Sequence, residues 1–136
     1  VFSNSSSKYY NLGLLIIRLS IGFSFVYFHG WEKITGGVDK WEMLGNQMQY
    51  AGINFLPVVW GFMAALAEFG GGLLLMIGLF TRPAAFFMAT TMLVANLMHY
   101  YKDGLEAHPF EMLFIFIALF IMGAGKYSLD AKIKFR

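Results

Sequence analysis

The chain has 136 residues, of which 58% are hydrophobic and only 13% charged, with a mean hydropathy of +0.60. So few charges cannot dress a water-facing surface, and the composition predicts a single all-α integral membrane domain covered largely by lipid. The net charge of +2 comes from Lys and Arg at segment ends, with no basic stripe interleaved with aromatics, so nucleic acid is not an expected partner. The absence of cysteine excludes disulfides, iron–sulfur ligation, c-type haem attachment and thiol redox chemistry, and leaves any redox role to a bound cofactor.

In chain order, the Ser-rich start from Phe2 to Ser7 has no charged leading stretch and no small-residue cleavage site, and it does not read as an intact signal peptide. Four apolar runs follow, which predict spans at about residues 11–29, 57–80, 83–101 and 109–125, each long enough at 1.5 Å per residue to cross a ~30 Å hydrocarbon core. Strands would leave unpaired backbone groups in lipid, and the runs lack the alternation of barrel strands, so all four are expected to be helices of one bundle. Pro57, Pro83 and Pro109 stand where a first helical turn tolerates proline. Between the first two spans, Asp39 with Glu42 suggests a capping box, Gly52 suggests a stop, and Trp41, Leu44, Met48 and Ala51 recur at helical spacing. This predicts an amphipathic helix over 39–51 lying on the membrane surface.

An even number of spans puts both termini on one side with the 81–82 turn. Lys8, Arg82, Lys126, Lys132, Lys134 and Arg136 fall on that side, against Lys33, Lys40 and Lys102 on the other. The positive-inside rule then predicts cytoplasmic termini in a multi-pass membrane protein.

Arg18 lies about 10 Å inside the first span. A charge at a helix centre costs about 2.5–3.5 kcal/mol on the lenient insertion scale, so Arg18 should find a partner. Glu68, expected only about 6 Å further out on the second span, is within reach of a long arginine side chain. Helical phase turns both inward: Gly61, Ala64, Ala65, Glu68, Gly71 and Gly72 share one face, and Arg18, Gly22, Phe25, His29, Glu32 and Lys33 form another stripe. Ala85, Ala89, Met92, Asn96 and His99 align on the third span, and Glu111, Ile115, Ala118 and Met122 on the fourth. Arg18, His29, Lys33, Glu68, Asn96, His99 and Glu111 are therefore the candidate lining of an outward-opening polar pocket, with an Arg18–Glu68 ion pair as its floor. The competing reading makes that pair a structural clamp.

Other constellations carry less. The three histidines and Glu111 lack ligand spacing for a metal, and His108 and Glu111 are accounted for by the first turn of the fourth helix. Gly70, Gly71 and Gly72 sit inside an apolar span without the Lys and Ser or Thr of a phosphate loop, so they read as packing glycines. An aromatic-lined slot beside polar groups suits a quinone ring. No catalytic residue is predicted.

Arg18-Leu19 with Gly22, Gly30 and Lys33, then Glu68 with Gly71 and Gly72, Gly78-Leu79, Thr81-Arg82, and the ending Gly123, Gly125, Ser128-Leu129-Asp130 together resemble the DoxX family over about residues 12–130. The resemblance implies a small four-helix membrane protein, usually bacterial. The family is named from a membrane component of thiosulfate:quinone oxidoreduction, and some relatives are associated with oxidative-stress or thiol-handling complexes. Arg18, Lys33 and Glu68 match its pattern. The expected function is accordingly a membrane subunit of a quinone-linked redox or oxidative-stress assembly, in company with other membrane subunits. The alternative is a non-catalytic accessory subunit that packs against a larger membrane complex and stabilises it.

Overall fold

The computed structural model describes residues 4–133, so Phe2 and Ser3 of the Ser-rich start and Lys134 and Arg136 of the charge count lie outside the described residues. Helix α1 (Asn4–Ser24) passes through a π-helical run (Phe25–Gly30) into the short α2 (Trp31–Ile34). Then come α3 (Gly37–Gly45), a 3-10 stretch (Asn46–Ala51), α4 (Pro57–Ile77), α5 (Thr81–Lys102), α6 (Ala107–Met122) and α7 (Leu129–Ile133). There is no strand among the described residues.

Two stretches, Ser7–Ile34 and Pro57–Ile77, have both the length and the hydropathy of a membrane span, and Ala107–Met122 is apolar but shorter. Helix α5 has 22 residues, enough length, but Arg82, Thr90, Thr91, Asn96, His99 and Lys102 dilute its apolar character. The first helix starts at Asn4 and reaches Ile34, beyond residues 11–29 at both ends. Hydropathy marks what lipid accepts, whereas a helix continues for as long as its backbone bonds and packing support it.

Proline sets the starts. Pro57 is the first residue of α4, and Pro83 and Pro109 are the third residues of α5 and α6. All three occupy a first turn, where the N–H that proline lacks has no helical acceptor. Helix α4 ends at Gly78 with φ +72°, a left-handed cap that glycine adopts without a Cβ penalty.

Glycine also sets how closely the helices approach. A Cβ on Gly22 would fall 2.6 Å from the Gly72 carbonyl oxygen, and one on Gly72 would fall 2.8 Å from the Gly22 oxygen. Here α1 and α4 cross backbone to backbone. One step further, Gly30 presses on the Phe69 backbone, and Met88 of α5 fills the space over Gly71. The inner face of α4 (Gly61, Ala65, Glu68, Gly71, Gly72) is buried as its phase predicts. Leu14, Phe25, Leu75, Met88, Phe116 and Leu119 fill the core between α1, α4, α5 and α6, while Ile16, Phe28, Leu66, Phe87, Phe114 and Ile121 stand exposed on the outside.

The helix expected over 39–51 is present as α3 and the following 3-10 stretch, and Gly52 (φ +84°) ends it. One detail differs from the sequence reading. The helix starts at Gly37 without a side-chain cap, which places Asp39 inside the first turn, so no Asp39–Glu42 capping box forms. Helix α3 packs closely on α4: Gly45 seats on the Pro57 backbone, Gly61 seats on the Trp41 backbone, and the Trp41 and Phe62 rings pack edge to face at 5.0 Å. Helix α3 therefore runs alongside the first half of α4.

At the other end, Asp130 folds the C-terminal segment back. Its carboxylate accepts from Phe80 N (2.8 Å) and Thr81 N (2.9 Å), capping α5, while its own N–H donates to the Gly78 carbonyl at 2.8 Å. A carboxylate at a helix N-terminus also meets the positive end of the dipole. The separate Gly78-Leu79, Thr81-Arg82 and Ser128-Leu129-Asp130 pieces of sequence thus form one joint.

Candidate ligand cavity

The Glu68 carboxylate is 2% exposed and sits on the buried face of α4. Its partner is Lys33, whose Nζ donates to Glu68 Oε2 at 2.5 Å and whose side chain is 22% exposed. The π-helical run widens the turn ahead of Lys33 and lets Gly30 seat against Phe69, next to Glu68 in sequence. Helix α3 fixes the other side, because Trp41 Nε1 donates to the Lys33 carbonyl at 2.9 Å and Lys40 reaches Glu32 at 3.4 Å.

The ion pair borders an open-sided cavity of about 670 Å³ lined by the π-helical run, α3, α4, α5 and the start of α6. Met43, Met63, Phe86 and Met92 give it an apolar lining, and His29, His99, Glu106 and His108 stand at its polar end. His29 and His108 lie ring to ring with centroids 4.6 Å apart, both against Phe25, which is itself held edge-on by Phe116. His99 Nε2 is 3.7 Å from Glu106. The Trp60 indole N–H, buried in the cavity wall, has no hydrogen-bond partner. A buried donor without an acceptor costs free energy that a ligand oxygen would recover.

Of the residues singled out from sequence, His29, Lys33, Glu68 and His99 line this cavity; Arg18, Asn96 and Glu111 do not. Arg18 does not pair with Glu68. It is wholly buried, and its guanidinium donates from Nη1 to the Leu75 carbonyl (3.3 Å) and from Nη2 to the Tyr127 carbonyl (2.5 Å). Leu75 follows Glu68 by two turns of α4, about 10 Å along the axis, so one side chain does not serve both levels. The floor of the cavity is therefore Lys33–Glu68, and Arg18 fastens α1 to the end of α4 and to the C-terminal segment.

Asn96 is buried on its predicted face, but its Nδ2 donates to the Met92 and Pro109 carbonyls, both at 2.9 Å, which ties α5 to the start of α6. Glu111 is exposed, because α6 buries Pro109, Phe116 and Leu119 instead of the Glu111, Ile115, Ala118, Met122 stripe. That stripe followed the polar residue, whereas the Phe116 ring, which buries more apolar area, set the phase. Sequence reasoning left Trp60 and Glu106 out of the site, and it set His108 at the outer level of the pocket but accounted for it as part of the first turn of the fourth helix. The position of His108, directly before Pro109 at a helix start, was the one signal that it would face the cavity mouth.

Chemically, the cavity offers a buried cation–carboxylate pair, an indole donor and paired imidazoles within apolar walls. It can bind and orient an oxygen-bearing amphiphile and hold or release a proton. No group of three or more His, Cys, Asp or Glu placed to hold a metal ion occurs among the described residues.

These features define a small all-helical protein built on span-length apolar helices, with a charged pair kept inside. The DoxX family model matches residues 13–100, which include Arg18, Lys33 and Glu68. Inner membrane protein YqjF of Escherichia coli (strain K12) is 37% identical over 132 residues, covering 90% of this chain and 93% of the relative. The chain belongs to the DoxX family. No solved structure matches it.

Proposed function

We propose that the chain is a four-span inner-membrane protein with both termini cytoplasmic, that it binds a quinone-class amphiphile in the cavity beside Lys33 and Glu68, and that it serves a quinone-linked redox or oxidative-stress assembly as a membrane subunit. The inner-membrane designation of YqjF and the distribution of Lys and Arg support the location. The observation that carries the ligand is the Lys33–Glu68 pair set in the wall of a largely apolar cavity, whose wall also holds, about two turns earlier on α4, the unpartnered Trp60 indole N–H.

The residues present suit such a ligand. A volume of about 670 Å³ lies within the usual range of small-molecule pockets, with a few polar groups among apolar walls. A quinone supplies two-electron, two-proton redox chemistry when bound. The chain's own groups bind and orient such a ligand: the Lys33 ammonium, held by Glu68, and the Trp60 N–H are donors for ligand oxygens, and the adjoining rings of His29 and His108, tilted 34° to each other, lead on to the exposed mouth.

The test is the quinone content of the purified protein, together with quinone reduction by membranes that carry Glu68→Gln. Co-purifying quinone in the wild type and a loss of about tenfold or more in the variant are expected, since removing one buried charge strands the other. Quinone-free wild-type protein, with membrane quinone reduction unchanged by Glu68→Gln, would sink the reading.

A further inference from the structure

A second cavity, of about 800 Å³, lies at the opposite end of the molecule, where the start of α5, the end of α6 and α7 meet Asn11 of α1. It shares no lining residue with the first. Two cations, Arg82 and Lys126, border it, together with one carboxylate, Asp130. That carboxylate is already committed, one oxygen to Phe80 N and the other to Thr81 N. The cations are not. Arg82 makes a single long hydrogen bond, 3.3 Å to the Ile121 carbonyl, and its Nε is buried without a partner; the Lys126 ammonium has no ion pair among the described residues.

A second observation points to a ligand. Thr81 is fully buried in the cavity wall, and its hydroxyl has no hydrogen-bond partner. Two underused cations and an unsatisfied hydroxyl make a set suited to an anionic oxygen cluster. Gly123, with φ +78°, lets the chain turn under the Arg82 guanidinium, since a Cβ there would fall 3.2 Å from Arg82 Nε. Phe80, Pro83 and Met122 make the rest of the wall apolar.

We infer that this second cavity binds a phosphate group, with Arg82 and Lys126 as its charge partners and the Thr81 hydroxyl as a further donor. The apolar wall beside the cations fits the phosphate of an anionic phospholipid whose chains leave along α5 and α6; free phosphate offers the same chemistry without chains. The inference is independent of the Lys33–Glu68 cavity and of which leaflet the site faces.

The experiment is native mass spectrometry of the full chain released from micelles that contain equal amounts of phosphatidylglycerol and phosphatidylcholine. Phosphatidylglycerol adducts are expected to dominate in the wild type and to fall about fivefold for each cation removed, in Arg82→Gln and in Lys126→Gln. Lys102→Gln, at the far end of α5, is expected to change nothing. Displacement of the phosphatidylglycerol by millimolar inorganic phosphate would identify phosphate itself as the group bound, and resistance to it would identify the lipid. Lys126 is exposed, so its substitution leaves the fold intact and decides the matter even if Arg82→Gln unfolds. Equal retention of the two lipids by the wild type, or unchanged retention in Lys126→Gln, would overturn the inference.

Discussion

Glu68 has almost no contact with solvent and, among the described residues, a single ion-pair partner, Lys33, whose side chain is 22% exposed. Such a pair works as a clamp, a ligand site or both, and a double substitution separates the roles. Glu68→Gln alone strands Lys33 and is expected to cost about 2–3 kcal/mol of stability, below the usual figure for a fully buried pair because Lys33 retains some water. Lys33→Met with Glu68→Met removes both charges and is expected to return to within about 1 kcal/mol of wild type. Unfolding in mixed micelles measures both. Quinone retention adds the deciding readout: a stable double variant that has lost its quinone makes the pair a site, and one that keeps it makes the pair a clamp. The residue scale is also where the sequence was least legible. Arg18 and Glu68 are both unmistakable as charges inside apolar helices, but hydropathy gives depth only to within a turn or two, so the choice between Arg18 and Lys33 as the partner of Glu68 lay beyond it. Carbonyl partners such as those of Leu75 and Tyr127 leave no mark in a sequence, because every residue has one.

At the scale of elements, glycine carried more information than charge. The strip Gly61, Ala65, Gly71, Gly72 is legible as a close-packing face, and it is the face that α1, α3 and α5 share. What the strip does not reveal is which helix sits at each level, since small residues admit any backbone. The π-helical run was equally hidden: nothing in Phe25–Gly30 demands a wider turn, and only the seating of Gly30 on Phe69 gives it a reason. The crossing of α1 and α4 offers a contrast between glycines of one helix. Gly22→Ala would drive a methyl against the Gly72 carbonyl and is expected to destabilise by about 1–3 kcal/mol. Gly13→Ala, with nothing within 4 Å of the added methyl, is expected to be neutral or to stabilise by up to about 1 kcal/mol through helix propensity. Thermal unfolding of the two variants side by side checks the crossing, and an equal response from both would remove the backbone contact as its explanation.

At the scale of the whole molecule, the number of helices that cross the bilayer turns on α5, which is long but polar, and on α6, which is apolar but short. The length of α5 suffices, but its polar residues keep it short of the hydropathy of Ser7–Ile34 and Pro57–Ile77. The fold explains how a spanning helix can carry them. Asn96 is satisfied by the Met92 and Pro109 carbonyls, His99 faces the cavity beside Glu106, and the Thr90 and Thr91 hydroxyls return to the Phe86 and Phe87 carbonyls. Arg82 and Lys102 lie within two residues of the two ends, where their side chains can snorkel to the interfaces. Lipid would therefore meet few unsatisfied groups along α5, which is the condition for spanning. The absence of cysteine makes the test direct, because one introduced cysteine is the only thiol. If α5 spans with cytoplasmic termini, Asp103→Cys at its far end reacts with a membrane-impermeant maleimide in intact spheroplasts, and Lys132→Cys in α7 reacts only after the membrane is opened. Both residues are exposed, so lack of reaction cannot be laid to burial. Labelling of both from the outside would place Asp103 and Lys132 on one side and end the four-span reading. Labelling of Lys132 alone would keep four spans and reverse the orientation, moving the Lys33–Glu68 cavity to the cytoplasmic side and the Arg82–Lys126 cavity to the outer leaflet.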